Sequence, residues 1–484
     1  MATGERPELR AIRPSYRVRI LSDAQLEQFQ NATLTILDEV GIHCPSEKGL
    51  KIFAEHGAEV DFDSEVVKLP PDVVMEAMSH APRFYTMGAR EPDFDLDLDG
   101  TATYCATDGC GTETIDFVTR ERRTSVKEDV AKMARVTDYM PWMAFYWPMV
   151  SAQDYGATAP LHEIEASFAN TVKHVQTETL MGEAAARYGV EMARVIARDE
   201  ETMRERPPLS SLVCTIAPLA QDKGGIESAL VFAEAGLPVG FMSMATAGST
   251  APATTAGTLA VADAEMVSAM VLMQMAHPGA PVYHSMMPGI MHPRTGDFLG
   301  GGGEAGLFYP LGVELAHMWG VPTLAGIGTE APTLGWESGM GMTASILVCA
   351  LCGADTASGL GLRETCTLLY PEALVLDCES CEDAFLYSKK LEFDSTDFAL
   401  DIVKAVGPRG HFLAQRHTRE QIRKWELSEL VNQADAEGGY RDPVEVAREK
   451  TEWILENHRA RPLEDEQQAE LTRILQAAEG EVTG

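Results

Sequence analysis

Aromatic side chains stand near the ends of several predicted strands, where they could form a site for a positively charged group. They are Tyr146, Trp147, Tyr283 and Trp336. The face of an aromatic ring attracts a quaternary ammonium ion, and each such contact is worth roughly 0.5–2 kcal/mol. Because side chains alternate along a strand, only one of the neighbours Tyr146 and Trp147 can face such a site. Rings at these positions also suit a packed interior, and we expect at least half of them to have that role.

Polar side chains accompany these rings and could complete a site for a small cation. Glu330 follows the seventh predicted strand, Gln176 ends the third, and His284 lies on the sixth. Two further carboxylates, Asp108 and Glu178, are expected at the same face, where they would attract a cation. A single histidine at a strand end is more often structural. Glu330, Gln176 and His284 are the predicted polar anchors.

Four consecutive glycines, Gly300 to Gly303, interrupt the stretch HPRTGDFLGGGGEAG before a predicted helix. A helix that begins after glycines can bind phosphate. Here no Lys-Ser or Lys-Thr pair follows, and Glu304 in the first turn would repel an anion. The run therefore favours a flexible lid, or a flat surface that a large planar group can approach.

Cysteines form two CxxC pairs, Cys349 with Cys352 and Cys378 with Cys381. Two such pairs can hold a tetrahedral zinc ion. However, the first pair lies in an apolar helical run, where a cysteine behaves as a small core residue. We therefore predict core cysteines and no metal site.

One pattern repeats eight times along the chain: a short apolar run, a turn, and then an amphipathic helix. The predicted strands begin near Thr101, Met143, Lys173, Ser211, Pro238, Pro281, Val321 and Ala354. Eight such units predict an α/β fold of the (β/α)8 TIM-barrel type, with its chemistry at the carboxyl ends of the strands. A doubly wound open sheet uses the same alternation, but the number of units and the lack of GxGxxG after the first strand disfavour it.

Three regions are predicted: a mostly helical N-terminal layer at 1–100, the catalytic barrel at 101–390, and a helical extension at 391–484. The glycine run follows the sixth barrel strand and so lies at the catalytic face.

The chain carries 73 acidic against 39 basic side chains, a net charge of −34. This charge disfavours nucleic acid and anionic membranes as partners. The N-terminal residues do not read as an export signal, and no run reads as a membrane helix. Nine cysteines, an odd number, suit a reduced compartment, so a cytoplasmic protein is expected.

Longer motifs in this order resemble the trimethylamine methyltransferase family, including its members that lack pyrrolysine and demethylate glycine betaine and similar quaternary amines. The resemblance rests on LSDAQLEQFQNATLTILDEVGI, VVKLPPDVVMEAMSHAPRFYTMGAR, MATAGSTAPATTAGTLAVADAE, PVYHSMMPGIMHPRTGDFLGGGGEAGL, LGWESGM and AVGPRGHFLAQRHT. It implies transfer of a methyl group from an amine nitrogen to the Co(I) of a corrinoid carried by a separate protein. No cofactor would be bound by this chain and no side chain need act as a catalytic acid or base. Gly300, Gly301, Gly302 and Gly303 would then lie where the corrinoid approaches.

The sequence departs from the family after the seventh strand. Residues 328–337 hold only ordinary amino acids where archaeal relatives carry pyrrolysine, so a quaternary amine is the expected substrate. Ala357, Ser358 and Gly359 stand where many relatives have histidine, which leaves the particular quaternary amine open. Two alternatives remain: a zinc-dependent thiol methyltransferase using the CxxC pairs, and a non-catalytic protein that binds quaternary amines. The chain could also form a homo-oligomer.

Overall fold

A computed structural model describes residues 6–425, 427–428 and 430–483. Its centre is a closed barrel of eight parallel strands in sequential order. The strands are β1 (Tyr104–Thr107), β2 (Met143–Tyr146), β3 (His174–Thr177), β4 (Leu209–Cys214), β5 (Val239–Ser243), β6 (Val282–Met286), β7 (Thr323–Gly326) and β8 (Thr356–Leu360). Each predicted strand segment overlaps one of them, β4 beginning two residues before the predicted Ser211, so the (β/α)8 prediction is confirmed. The open doubly wound sheet is excluded because β8 pairs with β1, Thr356 opposite Tyr104.

One long helix follows each strand and packs outside the barrel. The helices are α1 (Lys127–Tyr139), α2 (Ala159–Asn170), α3 (Glu183–Ala197), α4 (Lys223–Ala235), α5 (Thr255–Ala276), α6 (Phe308–Trp319), α7 (Trp336–Cys352) and α8 (Ala373–Ser388). Helices α4, α6 and α7 end at a glycine in the left-handed conformation, which lets the chain turn into the next strand.

Helix α5 is long and apolar enough to cross a membrane, and no other helix in the described part of the chain is. It is mostly buried inside the protein, between the barrel sheet and the N-terminal helices. Its apolar character is therefore explained by packing on both sides.

The N-terminal layer packs on α5. It contains three α-helices (Asp23–Thr35, Glu47–Glu55, Pro71–Met78), a π-helical turn (Ile36–Val40), a three-stranded sheet (Ile42–His43, Glu59–Asp61, Val66–Lys68) and a hairpin (Tyr85–Met87, Leu96–Leu98). Ser22 caps the first helix in a capping box with Gln25. Gly41 must be glycine, because its φ is +87° and a Cβ would lie 2.6 Å from the Val67 carbonyl oxygen.

In the described part of the C-terminal region four α-helices follow α8: Leu400–Val406, Arg416–Ile422, Pro443–Asn457 and Asp465–Thr483. The third packs on α1 and α8, and the last packs on α3. The first two contain no buried residue. The domain boundaries expected near residues 100 and 390 stay predictions, and residues 1–5, 426, 429 and 484 of the outer two regions lie outside the described chain.

Candidate active site at the carboxyl end of the barrel

Side chains that end or follow five neighbouring strands meet at one mouth of the barrel. Asp108 and Cys110 follow β1, Trp147 follows β2, Glu178 follows β3, Cys214 ends β4, and Cys366 lies after β8. Beneath the carboxyls and thiols the barrel is filled by an apolar layer that includes Trp147, Leu212 and Tyr283. Cys110, Cys214 and Cys366 lie on top of this layer and keep part of their surface accessible. The mouth thus has a floor of rings and a rim of thiols and carboxylates.

Trp147 is held at this floor by the last residue of β1, Thr107, and by Gly109 in the loop that follows. Its backbone N–H donates to the Thr107 hydroxyl at 2.9 Å, and that hydroxyl donates to the Trp147 carbonyl at 2.7 Å. The indole lies directly over Gly109, where a Cβ would be only 2.0 Å from Nε1. A side chain at position 109 would therefore displace the ring.

Two N–H donors in this floor lack a partner among the described atoms. The Trp147 indole Nε1 and the Gln176 amide Nε2 are both buried and unpaired. The other end of the Gln176 amide is occupied, because the Tyr283 hydroxyl donates to its Oε1 at 2.7 Å. An unpaired buried donor costs about 1–3 kcal/mol, so a ligand that accepts from these groups would recover that energy.

Glu178 accepts hydrogen bonds from two thiols. Cys110 Sγ lies 2.7 Å from Oε2, and Cys214 Sγ lies 2.9 Å from Oε1. Burial raises the pKa of the Glu178 carboxyl, although both thiol bonds oppose the effect. Burial and then the charge of Glu178 raise the pKa of both thiols well above the ordinary value. Both cysteines therefore remain protonated at neutral pH and orient the carboxylate.

Asp108 forms a second carboxyl–thiol pair at the same rim. Its carboxyl accepts a hydrogen bond from Cys366, and one oxygen accepts from the Gly109 N–H at 3.0 Å. Burial raises the pKa of Asp108 to about 7, and the nearby Glu178 adds to this rise. Burial disfavours the ionised form of both carboxyls, and a bound cation would stabilise them as anions.

Glu330 ties the glycine run to the end of β7. It accepts a hydrogen bond from the Gly301 N–H at 2.5 Å and another from Gly300. The Tyr309 hydroxyl donates to the Gly300 carbonyl, so both sides of the loop are held. A Cβ at Gly301 would lie 2.7 Å from the Gly328 carbonyl, whereas a Cβ at Gly302 or Gly303 would meet nothing within 4 Å.

The structure brings Trp147, Gln176 and Tyr283 together in the floor, with Glu330 at the edge of the mouth, and places three other predicted residues elsewhere. Tyr146 faces the helix layer, where its hydroxyl donates to the Val130 carbonyl of α1 at 2.9 Å. His284 also faces outward, with Nε2 2.9 Å from Asp263 Oδ1 of α5. Trp336 begins α7 and is 73% exposed.

The CxxC cysteines are buried in the helix layer. Cys349 interacts with Cys352, whereas Cys381 interacts with Cys105 and Cys378, so each pair has its own surroundings. Burial raises the pKa of all four thiols. Among the residues that the structure describes, no three His, Cys, Asp or Glu side chains are placed to hold a metal ion.

Sequence reasoning missed the cysteines of the rim and placed Asp108 and Glu178 only in supporting roles. Cys110, Cys214 and Cys366 are separated by more than 100 residues in sequence and form no motif. Only their position could have indicated a role in the site: each cysteine stands at the carboxyl end of a barrel strand or just after it, where barrel enzymes place functional groups.

Sequence comparison identifies the family. The trimethylamine methyltransferase (MTTB) family model matches residues 3–481. Trimethylamine methyltransferase MttB of Desulfitobacterium hafniense strain DCB-2 is 30% identical over 466 residues, which cover 95% of this chain and 94% of that protein. The glycine betaine methyltransferase of Desulfitobacterium hafniense strain Y51 is 28% identical over 415 residues, or 85% of each chain.

Among solved structures, the Methanosarcina barkeri monomethylamine methyltransferase (MtmB) shares the fold. Its TM-score is 0.53 at 12% sequence identity, with 91% of this chain and 88% of that chain covered. The sequence relatives are methyltransferases named for trimethylamine and glycine betaine. This chain therefore belongs to the trimethylamine methyltransferase family.

Proposed function

We propose that this chain transfers a methyl group from a small quaternary amine of the betaine type to the Co(I) of a corrinoid carried by a separate protein. The observation that carries the proposal is the arrangement of charges and donors at the barrel mouth. Two carboxyls, Asp108 and Glu178, form the rim, and two unpaired N–H donors, on Trp147 and Gln176, lie in the floor. A betaine is complementary to this pattern, since it carries a quaternary ammonium and a hydrogen-bond acceptor in one small molecule.

In this arrangement the ammonium group lies between the Trp147 ring and the carboxylates. The ring attracts the cation through its π face, and a carboxylate attracts it more strongly in a site that excludes water. The acceptor group of the substrate points down to Trp147 Nε1 and Gln176 Nε2. An N–CH3 bond is then directed toward the open mouth.

The remaining work of the protein is to orient that bond and to exclude water. The nucleophile for the methyl group would be the Co(I) of the corrinoid, and the electron pair of the broken N–C bond would stay on the amine nitrogen. The leaving tertiary amine is neutral, so this chain need not donate a proton. Gly302 and Gly303 have open space where side chains would lie, which suits the approach of a large flat ring.

The test is methyl transfer by the purified chain with cob(I)alamin and a panel of quaternary and tertiary amines. We expect loss of Co(I) absorbance together with a demethylated product, detected by mass spectrometry, for one or a few betaine-type compounds. Glu178→Gln should slow the reaction at least tenfold. Glu304→Gln, which alters an exposed carboxylate near the same loop, should not. Tight amine binding without demethylation of any amine, in the presence of active Co(I), would instead identify a binding protein.

A further inference from the structure

The segment from Leu400 to Trp425, here called the basic arm, leaves large apolar side chains in solvent. They are Leu400, Val403, Phe412, Leu413, Ile422 and Trp425, each between 43% and 76% exposed. Both short helices of the arm lack a buried residue. Single exposed apolar residues are ordinary, but six in one segment of this length indicate a surface that another molecule covers.

The charge of the basic arm is opposite to that of the protein. The arm carries six Lys and Arg against two Asp and Glu, whereas the whole chain has a net charge of −34. Arg409, Arg419, Arg423 and Lys424 form no ion pair with any carboxylate in the described part of the chain. Lys404 and Arg416 pair with Asp401 and Glu420 of the arm itself. The arm is therefore a basic, apolar surface on an acidic protein, and four of its six cations have no ion-pair partner within the described fold.

The N-terminal layer is acidic, so its charge is complementary to that of the basic arm. Residues 22–76 carry twelve Asp and Glu against three Lys and Arg. Some of its carboxylates flank exposed apolar side chains: Phe62, 53% exposed, lies between Asp61 and Asp63. Acidic side chains beside exposed apolar ones on this layer are complementary to the basic and apolar side chains of the arm.

From this complementarity we infer that the basic arm docks on the acidic N-terminal layer of a second copy of the chain. Apolar burial would then supply most of the affinity, and the opposite charges would select and orient the partner surface. This interface lies outside the barrel mouth and does not depend on the proposed methyl transfer.

Sedimentation velocity of the full-length protein over a concentration series tests the inference. We expect a self-associated species that weakens as NaCl rises, because salt screens the contacts at the rim of the interface. The double variant Arg419→Glu, Arg423→Glu should raise the dissociation constant at least tenfold. Both side chains are without described ion pairs, so the fold should not suffer. The matched control is Arg187→Glu, Lys223→Glu, with the same change of charge on α3 and α4; it should associate as the unaltered chain does.

A charge exchange makes the test specific for the partner surface. Glu59→Lys, Asp63→Lys should also weaken self-association, because both residues are exposed on the N-terminal layer. Mixing this variant with Arg419→Glu, Arg423→Glu should restore association between the two proteins. A chain that stays monomeric at all concentrations, or an oligomer unaffected by both double variants, would overturn the inference. If the mixture of the two variants did not associate, the N-terminal layer would not be the surface on which the arm docks.

Discussion

Trp147 and Gly109 are in direct contact: the indole lies over the glycine, and a Cβ there would come within 2.0 Å of Nε1. The residues on either side of Gly109 are Asp108 and Cys110, which belong to the rim. The contact between the Trp147 ring and the Gly109 backbone therefore fixes how far the floor of the site lies from the carboxyls and thiols of the rim.

Gly109→Ala should displace the Trp147 ring and impair the site. We expect amine affinity to fall at least tenfold, with a loss of stability of about 1–3 kcal/mol from overpacking. Isothermal titration and urea denaturation measure the two effects separately. Gly306→Ala is the control, because a Cβ there meets nothing within 4 Å and the backbone has no positive φ. Unchanged affinity in a folded Gly109→Ala protein would remove Trp147 from the site.

Glu178 and its two thiol donors should act as one unit in cation binding. Glu178→Gln removes the charge at nearly constant shape, and we expect a tenfold to hundredfold weaker binding, about 1.4–2.8 kcal/mol. Replacing Cys110 and Cys214 by serine keeps a donor to each carboxylate oxygen and should retain most of the affinity. Replacing both by alanine leaves the carboxylate free to turn and should weaken binding. Equal affinities for the serine and alanine pairs would contradict a positioning role for the thiols.

Binding should depend on pH through Asp108. Burial raises the pKa of this carboxyl to about 7, and a bound cation favours its ionised form, so binding releases a proton below that pH. Affinity should therefore rise as pH increases toward 7 and level off above it. Titrations in two buffers of different ionisation enthalpy count the released proton. Asp108→Asn should remove both the proton release and this part of the pH dependence; a pH profile that persists in that variant assigns it to another group.

Glu330 should affect the mobility of the glycine run rather than the affinity for the amine. Glu330→Ala removes the acceptor for the Gly300 and Gly301 amides, so the loop should open more often. Hydrogen exchange of amides in residues 298–304 should accelerate, with little change in amine affinity. Glu304→Ala, an exposed neighbour, should leave the exchange rates as they are. Unaltered exchange in Glu330→Ala would mean that Tyr309 alone holds the loop.

The outward-facing His284 belongs to a network that should stabilise the fold. Asp263 accepts from His284 Nε2 and Trp319 Nε1, each at 2.9 Å, and from the Thr33 hydroxyl at 2.6 Å, which joins the N-terminal layer to α5, α6 and β6. Asp263→Ala leaves three buried donors without an acceptor and should cost about 3–5 kcal/mol. Urea denaturation measures this, and the exposed Asp401→Ala should change stability by less than about 0.5 kcal/mol. A small effect at both positions would show that water replaces the lost carboxylate.

The eight strand–helix units were predictable from local properties of the sequence. Each strand is a short apolar run, and in each helix the apolar residues recur at the spacing of helical turns. Barrel closure followed from their number. The alternation of side chains along a strand predicts that only one of Tyr146 and Trp147 faces inward. It does not predict which one, because that depends on how β2 pairs with its neighbouring strands. The position of the glycine run after the sixth strand predicts its place at the catalytic face, whereas its contacts with Glu330 depend on the folded chain.

The tertiary structure decided what lies around each polar group. His284 and Gln176 both lie on barrel strands, yet His284 pairs with a helix carboxylate while Gln176 reaches Tyr283 inside the barrel. Cys110, Cys214 and Cys366 meet at the rim only because the closed sheet brings β1, β4 and β8 together. Their positions in the sequence do not indicate that they are close in space. The sequence by itself determined the family and the barrel, since these depend on local patterns and ordered motifs. The thiol–carboxylate rim, the raised pKa of Asp108 and the unpaired donors depend on burial and on distances between strands, which only the folded chain creates.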